Sequence, residues 1–299
     1  PVITKLVNES LQTGVFPSVC KHSLMTPTLK KTGLPKQELS SYRPISNTDY
    51  LSKIIEKIAV RQVQEYLTTY DLYPRTQSAY RRFHSVETAL LRVENDLLLA
   101  LDQHKDAVLV LLDFTAAFDT ISHANLLERL QNRFGITGTA LEWFRSYFHQ
   151  RSHAVKVENS LSAVTQDECG VTQGSVIGPV IFTLYTAPIQ DIIDAHQLNG
   201  MIYADDTQIY AFFEHNDPIS QKNTINRLNA CIKDIRTWAT INKLVLNDTK
   251  TEIVHLSSKF ISPLSIPSSK TCSPIFRVSK EVKGSTSYQF HIPSLFPLL

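Results

Sequence analysis

Three aspartates stand where apolar runs break. Ala107-Val-Leu-Val-Leu-Leu112 is short, continuous and apolar, the pattern of a strand buried on both faces, and it ends at Asp113. Met201-Ile-Tyr-Ala-Asp-Asp-Thr-Gln-Ile-Tyr210 reads as strand, tight turn, strand, with Asp205 and Asp206 at the turn. Taken singly, neither feature is unusual, because Asp is a common turn residue and often ends a strand. Taken together they change meaning. A central buried strand beside an apolar hairpin would bring three carboxylates to one end of one sheet. Like charges at that separation raise each other's pKa, and hard divalent cations with oxygen ligands relieve the repulsion. Two such ions about 3.5–4 Å apart clamp the attacking and leaving oxygens of an in-line phosphoryl transfer. The pattern therefore reads as a metal site.

The flanking elements must hold these carboxylates in place. Apolar positions Leu51, Ile54, Ile55, Ile58 and Ala59 recur at helical spacing from Leu51 to Leu67. A second helix is predicted from Val86 to Leu101, with Val86, Leu90, Val93, Leu97 and Leu101 on one face and Ser85 as N-cap. A helix near Thr139 to His149 and a strand from Ala154 to Val157 follow. Gly170 to Gly178 is a glycine-containing loop that runs into an apolar helix. Asp217-Pro218 opens a long helix, Asp217 as N-cap and Pro218 at its first position, with a core face of Ile225, Leu228, Ile232, Ile235 and Trp238. After Leu244-Val-Leu246 come a polar turn, Asn247-Asp-Thr-Lys250, and a strand to Leu256. Residues 1–50 are mixed and punctuated by Pro17, Pro27, Pro35 and Pro44, and Lys30 to Gly33 read as a strand end entering a turn. The order across 106–256 predicts an α+β layout, a mixed sheet with helices packed on one side.

Composition narrows the class. The 299 residues are 42% hydrophobic and 19% charged, with mean hydropathy -0.11, which excludes a disordered, collagen-like or disulfide-dense chain. Apolar stretches such as Val108 to Leu112 and Leu97 to Leu101 fall far short of the about 20 residues of a membrane span. No secretory leader is apparent, and Pro1 opens what already reads as an ordered segment, as in a piece of a longer polyprotein. Cys20, Cys169, Cys231 and Cys272 are scattered, suiting neither a zinc site nor a disulfide framework. Charge is unevenly spread: residues 1–100 hold 13 Lys+Arg against 9 Asp+Glu, and residues 101–256 hold 12 against 18. A basic front suits a polyanion and an acidic middle suits divalent cations.

The motifs resemble a known family. Leu111-Leu-Asp-Phe-Thr-Ala-Ala-Phe-Asp119, Gly170-Val-Thr-Gln-Gly-Ser175 and Tyr203-Ala-Asp-Asp206 are similar, in order and spacing, to reverse transcriptase motifs A, B and C. Upstream, Ser41-Tyr-Arg-Pro-Ile-Ser46, Gln77-Ser-Ala-Tyr-Arg81 and Ser85-Val-Glu-Thr-Ala-Leu90 resemble phrases of non-LTR (LINE-type) retrotransposon enzymes. The resemblance spans roughly residues 1–256 and implies a right-hand polymerase: fingers largely in 1–105, and a palm in 106–256 with a ferredoxin-like mixed sheet and motifs A to D.

The roles that the resemblance implies are these. Asp113, Asp205 and Asp206 would hold two Mg²⁺ ions, with Mn²⁺ as a substitute, helped by the backbone carbonyl of Phe114. Phe118 matches the steric gate that leaves no room for a 2′-OH. Gln173 and Gly174 match the loop against the nucleotide sugar and templating base, where glycine allows close approach. Arg43, with Lys53 and Lys30 or Lys31 as lesser candidates, would bind the triphosphate, and Arg81 the template strand. Lys250 resembles the motif D lysine that protonates the leaving pyrophosphate. The implied partners are an RNA template, a DNA primer and dNTP, with no membrane; the implied compartment is the nucleus, or the cytoplasm.

Departures from the family are equally specific. Motif B normally carries proline where this chain has Thr172, which predicts a looser loop and weakened activity. A primer-grip segment and a helical thumb are not recognisable, and residues 257–299 read as an irregular Ser/Pro/Lys tail, frameshifted or spliced in. The endonuclease domain expected upstream is not present in these residues. A catalytically inactive relic of a retrotransposon therefore stays open beside an active enzyme. So does a palm polymerase copying RNA into RNA, against which stand Tyr-Ala-Asp-Asp and the bulky Phe118.

Overall fold

The computed structural model describes residues 2–115 and 118–257. The predicted irregular tail beyond Ser257, and with it the question of a thumb, lies outside the described residues. Elements are numbered in chain order. They gather into two compact units, each built from two stretches of chain: 74–115 with 187–257, and 2–73 with 118–186.

The first of these units is an α+β sandwich. Its sheet runs β11 (Glu252–Leu256), β3 (Lys105–Leu112), β9 (Asp206–Glu214), β8 (Asn199–Tyr203) in spatial order, the ferredoxin-like arrangement. β3 is central, which is why its sequence is a continuous apolar run. α3 (Val86–Asp102) begins at Ser85 through a reciprocal cap: Thr88 N donates to Ser85 Oγ, and Ser85 N donates to Thr88 Oγ1. It sets Ala89, Val93 and Leu97 on Ala107, Leu109, Met201, Tyr210 and Leu256. On the other face Val108, Val110, Ile209, Ala211 and Phe213 are also buried. There α7 (Pro188–Ala195) lies against β8 and α8 (Pro218–Ile241) against β9. At about 1.5–3 kcal/mol for each fully buried aliphatic or aromatic side chain, two covered faces dominate the unit's stability.

Two details differ from the sequence expectation: where the helices pack, and the core face of α8. Helices cover both faces of this sheet rather than one, in keeping with a strand buried on both sides. The four strands of this sheet pair antiparallel, and its mixed character enters at the outer edge, where Gln77 bridges β8 in parallel at Ile202. The core face of α8 is also turned slightly. Thr224, Leu228, Cys231, Ile232, Ile235 and Ala239 are buried, whereas Ile225 and Trp238 are half-buried. Asp217 caps this helix as predicted, its carboxylate accepting from Ile219 N and Ser220 N at 2.9 and 3.2 Å. A short ribbon, β4 (Phe114–Thr115) with β10 (Val245–Leu246), continues from β3.

The second unit holds a mixed sheet. β1 (His22–Leu29) pairs antiparallel with β2 (Tyr42–Asn47) and parallel with β5 (Ser152–Val157), and β5 carries β6 (Ser160–Leu161) and β7 (Thr165–Gln166). Pro27 stands directly opposite Pro44, which concentrates two missing N–H donors at one rung. Around it stand α1 (Val2–Thr13), α2 (Tyr50–Thr69), α4 (His123–Asn132), α5 (Gly138–Phe148) and α6 (Gly178–Thr186). Phe16, Trp143 and Tyr147 form an aromatic core with ring centroids 4.9–5.6 Å apart. α6 is buried along nearly its whole length, as its uniformly apolar sequence requires. No helix among the described residues is long and apolar enough to cross a membrane.

Candidate active site

Strand register brings the three aspartates together in the ferredoxin-like unit. Leu112 of β3 pairs with Thr207 of β9, so the next rung sets Asp113 opposite Asp206. Tyr203 pairs with Asp206, which leaves Ala204 and Asp205 as a two-residue hairpin turn. Ala204 takes a left-handed φ of 55°, a conformation that glycine adopts freely and alanine does not. The Asp206 carboxyl is pushed from 3.8 to about 7 by burial, then by the charges of Asp205 and Asp113, with Lys250 acting the other way.

The cross-strand carboxylates are answered by one cation of the chain itself. Lys250 Nζ donates to Asp113 Oδ2 at 3.2 Å. The polar turn that carries Lys250 is fastened from both sides. Asn247 N donates to the Asp113 carbonyl at 2.8 Å. Arg236 of α8 grips Asp248 with two nitrogens, at 2.6 and 3.0 Å. Among the described residues no three acidic, histidine or cysteine side chains converge closely enough to coordinate one ion. Asp113, Asp205 and Asp206 offer oxygen donors only, the chemistry that hard divalent cations favour; Asp206 is raised by the charges of the other two, and Asp113 is paired with the exposed ammonium of Lys250.

The hairpin is backed by a segment that sequence reasoning treated only as part of a motif. Ile202 N donates to the Thr76 carbonyl at 2.8 Å and Ser78 N to the Ile202 carbonyl at 2.9 Å. Gln77, 1% exposed, accepts at Oε1 from both Ala79 N and Ala204 N. Tyr80, directly after Ala79, feels the charges of Asp205 and Tyr203, and burial with those charges pushes its phenol up to about 12. Arg81, predicted to meet the template, is half-buried, and its Nη1 donates to the carbonyls of Gln77 and Pro74.

Phe114 lies in β4 of this unit, buried, and the remaining predicted residues lie in the other unit. There the loop of motif B is tied to the motif around Arg43. Ser46 N donates to the Gln173 carbonyl at 2.9 Å, and Ser175 N to the Thr172 carbonyl at 3.0 Å. Gly174 sits at φ 108°, where a Cβ would meet the Ser46 carbonyl oxygen at 2.7 Å. Gly170 is packed as tightly on the Asp119 carbonyl, at 2.6 Å from the Cβ it lacks. Glu56 of α2, 0% exposed, was missed from sequence: its Oε2 accepts from Val176 N at 2.7 Å and Ile177 N at 3.3 Å, and Ser52 donates to its Oε1 at 2.8 Å. A carboxylate there meets the free N–H groups leading into α6. These bonds hold the loop with threonine at 172. Phe118 stacks on Phe182 with ring centroids 4.6 Å apart, and its carbonyl accepts from Val171 N at 2.8 Å. Arg43 and Lys30 are exposed, at β2 and just beyond β1, and Lys53 is half-buried in the first turn of α2.

Comparison with known proteins gives this geometry its context. The family model described as "Reverse transcriptase (RNA-dependent DNA polymerase)" matches residues 30–286, most of the chain. The chain belongs to the reverse transcriptase family. Among relatives of the chain, the "Probable RNA-directed DNA polymerase from transposon BS" of Drosophila melanogaster is 26% identical over 88% of the chain and 29% of its own length. The "RNA-directed DNA polymerase from mobile element jockey" of the same organism is 28% identical over 68% of the chain and 22% of its own. The chain thus spans less than a third of the relatives it matches. A solved structure of apo telomerase from Candida tropicalis shares the fold at a TM-score of 0.56 and 14% identity, covering 81% of this chain and 51% of that one.

Proposed function

We propose that this chain is the fingers and palm portion of a non-LTR retrotransposon reverse transcriptase and adds deoxynucleotides to a DNA primer 3′-OH along an RNA template. The juxtaposition of Asp113 with Asp206 across β3 and β9, beside Asp205 and under the strain that raises the Asp206 carboxyl, carries this reading. The functional partition follows the motifs, with fingers largely in 1–105 and palm in 106–256.

Asp113, Asp205 and Asp206, with the Phe114 carbonyl, are the groups that would hold divalent cations, Mg²⁺ first and Mn²⁺ as substitute. Ions bound there would lower the pKa of the primer hydroxyl and neutralise charge on the triphosphate. The chain's own residues do the rest. Asp113, released from its pair with Lys250, would be one of the groups that hold the cation. Lys250, released in the same exchange, donates a proton to the departing pyrophosphate. Phe118 excludes the 2′-OH of a ribonucleotide, while Gln173 and Gly174 present backbone to the sugar and templating base. Arg43 grips the triphosphate with Lys53 beside it, and Arg81 faces the template. Synthesis at chromosomal targets would place the work in the nucleus.

Primer extension on an RNA template with Mg²⁺ and dNTPs tests the reading, with Asp205→Ala in parallel. Extension that the substitution abolishes supports it. A folded parent that extends no primer, whether or not it binds the primed template, would instead identify an inactive relic. Equal use of rNTPs and dNTPs by the parent would overturn the role given to Phe118 and favour an RNA-copying polymerase.

A further inference from the structure

We propose that Gln77 is a positioning residue for the Asp205-Asp206 hairpin, its side-chain amide clamping the strained turn from outside the sheet. The inference rests on the reading of Asp205 and Asp206 as cation ligands, and goes beyond it by assigning the part that holds them still.

The argument starts at the turn. A two-residue hairpin loop normally recruits glycine or asparagine where φ is positive. Here that position is Ala204 at φ 55°, so the local sequence does not by itself enforce the turn that aims Asp205 and Asp206. Something else must. Residues 76–78 lie alongside β8 through a single parallel bridge, bonded to Ile202 through both its N–H and its carbonyl. That backbone pairing stops at Ile202, two residues short of the turn. The Gln77 side chain covers the gap, its Oε1 reaching Ala204 N at 3.2 Å. The same oxygen accepts from Ala79 N at 2.9 Å, which uses both of its lone pairs and fixes the amide's orientation. A side chain 1% exposed with its acceptor fully engaged has one geometry available. Tyr80 follows directly at φ 60°, beside Asp205, so the clamp and the residue nearest that carboxylate are set by one rigid segment. A tether on Ala204 N fixes the residue from which Asp205 and Asp206 both depart.

The test uses the full chain and three readouts. Gln77→Met keeps side-chain length and removes the amide oxygen. Amide exchange followed by NMR in the metal-free chain should speed up at Ala204 by about tenfold or more while the β3–β9 amides keep their protection. Mn²⁺ affinity, read by electron paramagnetic resonance, should fall by about fivefold to twentyfold, and adding Ala204→Gly should recover most of it, because glycine takes the left-handed φ without help. A merely structural hole left by the missing amide would not be repaired from position 204. Unchanged exchange at Ala204, unchanged Mn²⁺ affinity, or a double variant as weak as Gln77→Met would each overturn the proposal. The parent and Asp205→Ala separate this from the underlying reading. If the parent shows no Asp205-dependent Mn²⁺ binding, the cation-site reading falls and takes the positioning role with it, whatever the exchange result. If Gln77→Met melts below the assay temperature, Gln77→Asn, one methylene too short for Ala204 N, carries the same three readouts.

Discussion

Replacing Asp206 by asparagine should make the metal-free fold more stable while disabling the cation site. Burial, Asp205 and Asp113 together push the Asp206 carboxyl up to about 7, against an ordinary 3.8 in an unfolded chain. The sign follows from that order. Below 3.8 both states are protonated and folding bears no penalty. Between the two values the unfolded chain loses its proton first, so stability falls as pH rises, and the loss is complete above about 7. At about 1.4 kcal/mol per factor of ten the gap corresponds to about 4 kcal/mol. Asp206 is only half-buried, and solvent screening reduces the effect to about 1–2 kcal/mol. Asparagine carries none of that charge. Asp206→Asn should therefore raise the melting midpoint by about 3–6 °C near pH 8 and by almost nothing near pH 4. Circular dichroism melts in chelator across that range measure it. Adding Mg²⁺ should then stabilise the parent at the higher pH and leave the variant unmoved. A variant that melts lower than the parent near pH 8, or gains equally at both ends, would refute the charge-repulsion argument.

Three further outcomes follow from the same geometry. Gly174→Ala should cost about 1–3 kcal/mol in urea denaturation, because its Cβ meets the Ser46 carbonyl at 2.7 Å and φ is 108°; a neutral result would mean that the loop has another arrangement. Glu56→Gln should lower stability by about 1–3 kcal/mol, since Val176 N and Ile177 N lose a charged acceptor, and fluorescence-monitored unfolding would show it. Lys250→Ala should reduce single-turnover extension by about 10²–10⁴-fold at saturating dNTP, while Lys250→Arg, which keeps the ion pair to Asp113 but donates a proton poorly, should recover little; full recovery would make the residue a counter-ion rather than an acid.

What could be seen in the sequence follows a physical division. β3, the Tyr203–Asp206 turn and the capped starts of α3 and α8 were legible because each is a local signal: an apolar run, a turn between two strands, Ser85 or Asp217 before a periodic stretch. α1 and α4 escaped because their periodicity is thin. Val7 and Ser10 are the buried residues of α1, and Leu126 and Leu130 those of α4. The β1–β2 pair was hidden by Pro27 and Pro44, which argue against a strand when read singly and are tolerated because they face each other. Packing helices on one side of the sheet went wrong for a related reason. α3 lies outside the stretch of chain from which the layout was read, and hydropathy reports that a face is covered without naming the cover.

The same division explains why the aspartates were visible and their supports were not. A carboxylate that interrupts an apolar strand announces itself within ten residues of chain. The partners that hold it come from far away: Lys250 meets Asp113 across 137 positions, Gln77 meets Ala204 across 127, and Glu56 meets Val176 across 120. Closing such spans costs little more than closing shorter ones, because loop entropy grows only with the logarithm of length, so nothing confines a supporting residue to the neighbourhood of its motif. One trace was present all the same. Ser52 and Glu56 stand four apart on α2 among Ile55, Ala59 and Val60, all of them buried. An acid on a buried stripe must find donors, and α2 itself offers its carboxylate only the Ser52 hydroxyl. The glycine-bearing loop entering an apolar helix was the part of the sequence most in need of an acceptor. Matching an unsatisfied buried acid with the free N–H groups that lead into a helix is a pairing that sequence can propose on chemical grounds, and Val176 and Ile177 with Glu56 are the case in which the fold makes it.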